Sequence, residues 1–121
     1  MDLAVLPDQS IPAYRQIFLQ IRSQILSGRM KPGTALPPIR TVSRELSVSV
    51  ITVRTAWDQL EEDGLIETRA GSGCYVASLQ PGELRARRDE ALAAPLSDLV
   101  LKARELGYTR RELQEKIDGL W

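Results

Sequence analysis

Ser47-Val48-Ser49-Val50-Ile51-Thr52-Val53-Arg54 is the stretch on which the reading of this chain turns. A serine just ahead of a helical apolar repeat marks a helix start, because its hydroxyl accepts from first-turn N–H groups that have no intrahelical partner. Ser49 therefore caps a helix running to about Asp63, with Val53, Ala56, Trp57 and Leu60 inward and Gly64 as the stop. Arg54 falls on the opposite face. Upstream, Pro38 to Leu46 carries Ile39, Val42 and Leu46 at the spacing of a shorter helix. Two short helices joined across Ser47-Val48 form a helix-turn-helix pattern.

Outward from this pair, Ile11, Tyr14, Ile17, Phe18, Ile21, Ile25 and Leu26 make one apolar face of a first helix, from about 11 to 27. Ser10 is its expected N-cap, residues 1–10 form a short leader, and Lys31-Pro32-Gly33 is a turn. Downstream, Leu65–Arg69 and Cys74–Ala77 flank Ala70-Gly71-Ser72-Gly73 and read as a β-hairpin placed as a wing. The pattern breaks at Gln80-Pro81-Gly82, which puts a boundary between residues 1–79 and 80–121. Beyond it a helix from about 83 to 106, bent at Pro95, precedes a last helix opened by the capping-box sequence Thr109-Arg110-Arg111-Glu112. The expected fold is mostly α with a small β-hairpin: an N-terminal winged helix-turn-helix and a C-terminal two-helix dimerisation tail.

Composition excludes several functions. The chain has 121 residues, no histidine and one cysteine, Cys74. Intrachain disulfides and cysteine-rich zinc sites are therefore impossible, and the commonest general base is missing. No catalytic residue, metal site or cofactor is expected, and an enzyme is the weakest reading. There is no apolar run of about 20 residues and no basic, apolar signal at the start, so a cytoplasmic protein with no membrane contact is expected. Net charge is zero, with 16 basic and 16 acidic residues, but the distribution is uneven. Between Gln9 and Trp57 stand Arg15, Arg22, Arg29, Lys31, Arg40, Arg44 and Arg54 against the single acid Glu45; Asp58, Glu61, Glu62, Asp63 and Glu67 follow. A local positive face neutralises phosphates whatever the total charge, although charge alone fits a solvated surface equally well.

Leu36-Pro37-Pro38-Ile39-Arg40, Ser47 to Arg54, Leu60-Glu61-Glu62-Asp63-Gly64-Leu65-Ile66 and Gly71-Ser72-Gly73-Cys74-Tyr75-Val76 fall in an order and spacing that resembles the winged-helix domain of GntR-family transcription regulators. Ile11 to Ile17 looks like the opening of that domain. The tail, with Ala103-Arg104-Glu105-Leu106-Gly107, Thr109-Arg110-Arg111-Glu112-Leu113 and Leu120-Trp121, is similar to the short appendage of the YtrA subfamily. The resemblance implies a homodimer on double-stranded operator DNA, usually a repressor, often of a transporter operon. It also implies that Arg54 contacts the operator from the recognition helix and that Arg40 positions a phosphate. Ser49 and Thr52 can bind phosphate or a base at the helix start, with plain N-capping as the other role of Ser49.

Val50 and Ile51 depart from relatives that carry arginine and threonine there, and they fit thymine methyl groups. Arg69, Gly71 and Ser72 match the wing tip that meets minor groove or backbone; an ordinary hairpin turn is the competing reading. In the tail, Leu92, Leu96, Leu99, Val100, Leu106, Leu113, Ile117 and Leu120 exceed what two helices can bury alone, which points to a partner subunit, with a tail folded back on its own winged domain as the competing reading. A small-molecule effector in a cavity where tail meets winged domain is a further expectation, suggested by Pro95. The rival to DNA binding is a winged-helix protein-interaction module, favoured by apolar Val50 and Ile51 and by zero net charge.

Overall fold

A computed structural model of the chain describes residues 2–7 and 10–121, and its contacts divide it into two units, Met1–Pro81 and Gly82–Trp121. The first unit holds α1 (Ala13–Leu26), α2 (Ile39–Leu46), α3 (Val50–Glu62), β1 (Ile66–Arg69) and β2 (Gly73–Val76). Helix α4 (Pro81–Glu105) runs into the second unit, which ends with α5 (Arg110–Leu120). This is a mostly helical winged helix-turn-helix followed by two helices. No helix is long and apolar enough to cross a membrane among the described residues.

The core of the first unit follows from the helical repeats. Ile17, Phe18, Ile21 and Ile25 of α1 are buried with Val53, Ala56, Trp57 and Leu60 of α3, Val42 of α2 and Ile66 and Val76 of the hairpin. Leu60 is fully enclosed. Leu60→Ala should therefore cost about 2–5 kcal/mol, a transfer loss plus an unfilled cavity, read as a lower midpoint in urea unfolding.

The turn between α2 and α3 is fixed by its own hydrogen bonds. Ser47 takes a left-handed conformation (φ 55°), which is uncommon for a residue with a Cβ. It is held there because the Val48 N–H donates to the Ser43 carbonyl (3.1 Å) and the Ser43 hydroxyl donates to the Val48 carbonyl. Helix α2 thus ends in a closed cap, and α3 restarts two residues later on Ser49.

The first helix starts differently from the sequence expectation. Pro12, not Ser10, occupies the N-cap, and it makes no side-chain cap bond. Proline is suited to a helix entrance because its φ is preset and it has no N–H to leave unpaired. Ile11 lies outside the helix and is exposed. The expected leader is a strap in its described part; Met1, Asp8 and Gln9 lie outside the described residues. Gln16 accepts from the Leu6 N–H (2.8 Å) and donates to the Leu6 carbonyl (3.0 Å). Gln20 does the same for Ala4 (3.0 and 2.6 Å), and buried Gln24 donates to the Asp2 carbonyl (2.7 Å). Two extended residues advance about 6.6 Å and four helical residues about 6 Å, so alternate strap residues meet every fourth helix residue.

A short third edge joins the hairpin. The Leu36 N–H donates to the Cys74 carbonyl (2.9 Å) and the Val76 N–H to the Thr34 carbonyl (2.9 Å). Pairing of residues 33–36 with β2 brings Pro37-Pro38, and hence the start of α2, beside the wing.

In the second unit α4 continues through Pro95, which lacks an N–H and so leaves the Ala91 carbonyl without its helical donor. Gly107 (φ 84°) closes the helix, and Tyr108 N–H returns to the Ala103 carbonyl (2.9 Å). Helix α5 opens with the expected capping box: Thr109 Oγ1 accepts from the Glu112 N–H (3.1 Å) and Glu112 accepts from the Thr109 N–H (2.9 Å). The backbone bond from Thr109, with help from its hydroxyl, holds the Glu112 carboxyl below its ordinary value of 4.5. Because the folded value is depressed, the capping contribution is complete above the unfolded value and fades as pH falls through the folded one. Circular dichroism of the full chain should accordingly show a small fall in helicity as pH drops below the ordinary carboxylate value of 4.5, and Glu112→Gln should reduce that fall.

Candidate nucleic-acid interface

Helix α3 presents two unlike faces. Val53, Ala56, Trp57 and Leu60 are buried, whereas Ile51 and Arg54 are exposed, Ile51 to 75%. At the helix start the Ser49 hydroxyl accepts from the Thr52 N–H (3.0 Å) and lies 2.8 Å from the Thr52 hydroxyl. N-capping is therefore one role of Ser49, and the Thr52 side chain is tied to it. The turn that restarts the chain at Ser49 leaves Val50 half-buried and Ile51 in solvent.

Arg40, Val50, Arg54 and Ser72 are brought together. They line one cleft of about 390 Å³ between the start of α2, the outer face of α3 and the wing, floored by Leu36, Pro37, Trp57 and Cys74 among others. Among the described residues neither Arg40 nor Arg54 has an ion-pair partner. Two unneutralised guanidiniums on an open, largely apolar cleft are placed to meet phosphate or the acceptor edge of guanine. Ile51 and Thr52 are not part of this cleft.

The wing holds its residues by contacts the sequence reading missed. β1 and β2 pair antiparallel with Glu67 opposite Tyr75 and Arg69 opposite Gly73. The loop turns on Gly71 (φ 72°), where the Ser72 N–H donates to the Arg69 carbonyl (2.9 Å). A residue with a Cβ is strained at that φ. The Arg69 guanidinium stacks 4.0 Å from the Tyr75 ring centroid and approaches Glu67 at 3.3 Å. The Tyr75 hydroxyl lies 2.7 Å from the Ser72 hydroxyl and donates to the Ser72 carbonyl (3.1 Å). Alternation along the strands already put Glu67 and Arg69 on one face, and that was the available signal. Cys74, half-buried, sits 3.5 Å from the Thr68 hydroxyl, which also bonds Glu61.

The tail residues are not assembled into a core. Leu92, Leu96, Leu99, Val100, Leu106, Ile117 and Leu120 are exposed, and Leu113 is half-buried. Among the described residues of α4 and α5 only Ala103 is buried. No group of histidine, cysteine, aspartate or glutamate suited to a metal ion occurs among the described residues.

A recognition helix capped by Ser49, arginines on α2 and α3 with no ion-pair partner among the described residues, an anchored wing and two further helices define a winged helix-turn-helix of the regulatory type. Residues 13–76 match the family model for bacterial regulatory proteins, gntR family. The chain belongs to that family, and within it to the YtrA subfamily. It is 32% identical over 111 residues to the HTH-type transcriptional repressor YtrA of Bacillus subtilis, spanning 92% of this chain and 85% of that one. Other relatives are far longer: the chain spans 16% of one that it matches at 42% identity over 80 residues. A GntR family transcriptional regulator from Listeria monocytogenes shares the fold, with TM-score 0.82, 23% identity and coverage of 93% and 97% of the two chains. The AraR DNA-binding domain in complex with operator ORX1 superposes with TM-score 0.56 at 29% identity, covering 64% of this chain and 99% of that one. These relatives are transcription regulators, and transcription regulation is the function class of the family to which this chain belongs.

Proposed function

We propose that the chain is a homodimeric repressor that places two α3 helices on a palindromic operator in double-stranded DNA. One observation carries the DNA-binding part: Arg40 and Arg54, both exposed and without an ion-pair partner among the described residues, share a cleft with Val50 and wing residue Ser72. The operator complex of the similar AraR domain supports it. Arg54 reads a base or clamps a phosphate, Arg40 and Ser49 position the backbone, and Val50 and Ile51 pack on thymine methyls. Thr52 lies beside Ser49 at the helix start, and Arg69, Gly71 and Ser72 carry the wing to the flanking groove.

Residues 1–79 are the DNA-binding domain and 80–121 the dimerisation tail. The exposed Leu92, Leu96, Leu99 and Val100 on α4 and Leu106 just beyond it, with half-buried Leu113 and exposed Ile117 and Leu120 on α5, support the dimer, since each buried leucine contributes about 1.5–3 kcal/mol. The YtrA resemblance supports extending the proposal to regulation of a transporter operon in the cytoplasm. A small-molecule effector is part of the same proposal, with its place changed: not where tail meets winged domain but within the first unit, where Arg29, Met30, Lys31, Leu36, Val42 and Glu45 line a cleft of about 820 Å³, a size suited to a metabolite. Selection from a random pool of labelled duplexes tests the proposal. It should enrich an inverted repeat bound by two chains per duplex in light scattering, whereas failure to enrich any sequence would leave the wing and α3 as a protein-docking face.

A further inference from the structure

Resting on the DNA-binding reading, we infer that Tyr75 is a positioning residue of the wing: its ring aims Arg69 and its hydroxyl aims Ser72 at the nucleic acid. Four observations meet at this side chain. The Arg69 guanidinium lies 4.0 Å from the ring centroid, inside the range where a cation is drawn to an aromatic face. The strand register makes Tyr75 the diagonal neighbour of Arg69, and the residue directly opposite, Gly73, has no side chain to hold an arginine. The phenol oxygen is 2.7 Å from the Ser72 hydroxyl, and it donates to the Ser72 carbonyl at 3.1 Å. Tyr75 itself is half-buried and anchored in β2.

The consequence is physical. A long arginine on an exposed hairpin loses rotamer freedom when it meets a phosphate, and that cost falls on binding. Stacking on Tyr75 restricts the side chain before DNA arrives. Glu67, at 3.3 Å, adds a second restraint on the same guanidinium; being exposed, this pair holds weakly and yields to phosphate. The phenol has one proton and two acceptors on Ser72. Given to the carbonyl, it leaves the Ser72 hydroxyl to donate to the phenol oxygen, which holds that side chain in one orientation with its lone pairs and backbone fixed at the wing tip.

The test uses the full chain and a duplex enriched by the wild type from the random pool, in two double-mutant cycles. Arg69→Ala is expected to weaken binding about tenfold. Tyr75→Leu should lose about two- to fivefold in the wild type and nothing further beside Arg69→Ala. Tyr75→Phe keeps the ring and the hairpin packing, and its smaller loss should vanish beside Ser72→Ala. Melting temperatures check that each variant is folded. Coupling in either cycle upholds the proposal, and additive losses in both overturn it. If the wild type enriches no duplex at all, the DNA-binding reading falls and this proposal with it; enrichment with additive losses removes this proposal alone.

Discussion

Leu99→Glu is expected to turn a dimer into a monomer and to weaken operator binding by about 10²–10⁴-fold, the gain that linking two binding sites typically supplies. Leu99 lies within the apolar stripe of α4 and is exposed in the single chain. A glutamate there would bring a carboxylate into the proposed interface of leucine, valine and isoleucine, where an unpaired charge is costly. Leu99 belongs to the second unit, so the substitution changes no residue of the winged unit. Light scattering should give the mass of one chain, and binding to a single half-site should be unchanged. A monomeric mass for the wild type as well, with the stripe still exposed, would remove the tail from the mechanism.

Arg54→Ala is expected to cost about 1–3 kcal/mol of operator binding, as for loss of one base or phosphate contact, and twice that in a dimer that uses both helices. Arg54 is exposed on α3, lines the cleft shared with Arg40 and packs against no acidic partner among the described residues. The protein's own stability should therefore not change. Arg54→Lys separates the two roles: a lysine keeps a phosphate contact but loses the planar fork that reads guanine. If lysine restores affinity without sequence preference, Arg54 reads a base. If it restores both, Arg54 holds the backbone.

The winged unit could be read from the chain because local signals there agree with the packing. Ser49 is the cap it looks like, Gly64 and Gly107 adopt positive φ after their helices, and Trp57 and Leu60 are buried where the repeat put them. What could not be read depended on contacts between distant residues. The strap is one case: Gln16, Gln20 and Gln24 look like polar helix positions until residues 2–6 supply backbone partners. Ser10 is another, because a serine near a helix start is a cap only if the chain turns there, and here it turns at Pro12. In the wing, Tyr75 reads as an ordinary strand residue, and only the register with Glu67 and Gly73 brings it to Arg69. The edge formed by residues 33–36 was hidden by the prolines that follow it, although it sets the start of α2 against the wing. For the interface the exposed arginines were visible as residues, and their meeting in one cleft was not.

The central claim is that Arg40, Arg54 and the wing form a nucleic-acid surface despite a net charge of zero. The most direct measurement is a titration of the full chain against an enriched duplex and against random duplex, repeated at several salt concentrations. Counterion release predicts a linear fall of log affinity with log salt, amounting to about a thousandfold loss between roughly 50 and 200 mM if six phosphates are neutralised, with the enriched duplex held more tightly throughout. Affinity that is equal for the two duplexes, or indifferent to salt, would contradict the account.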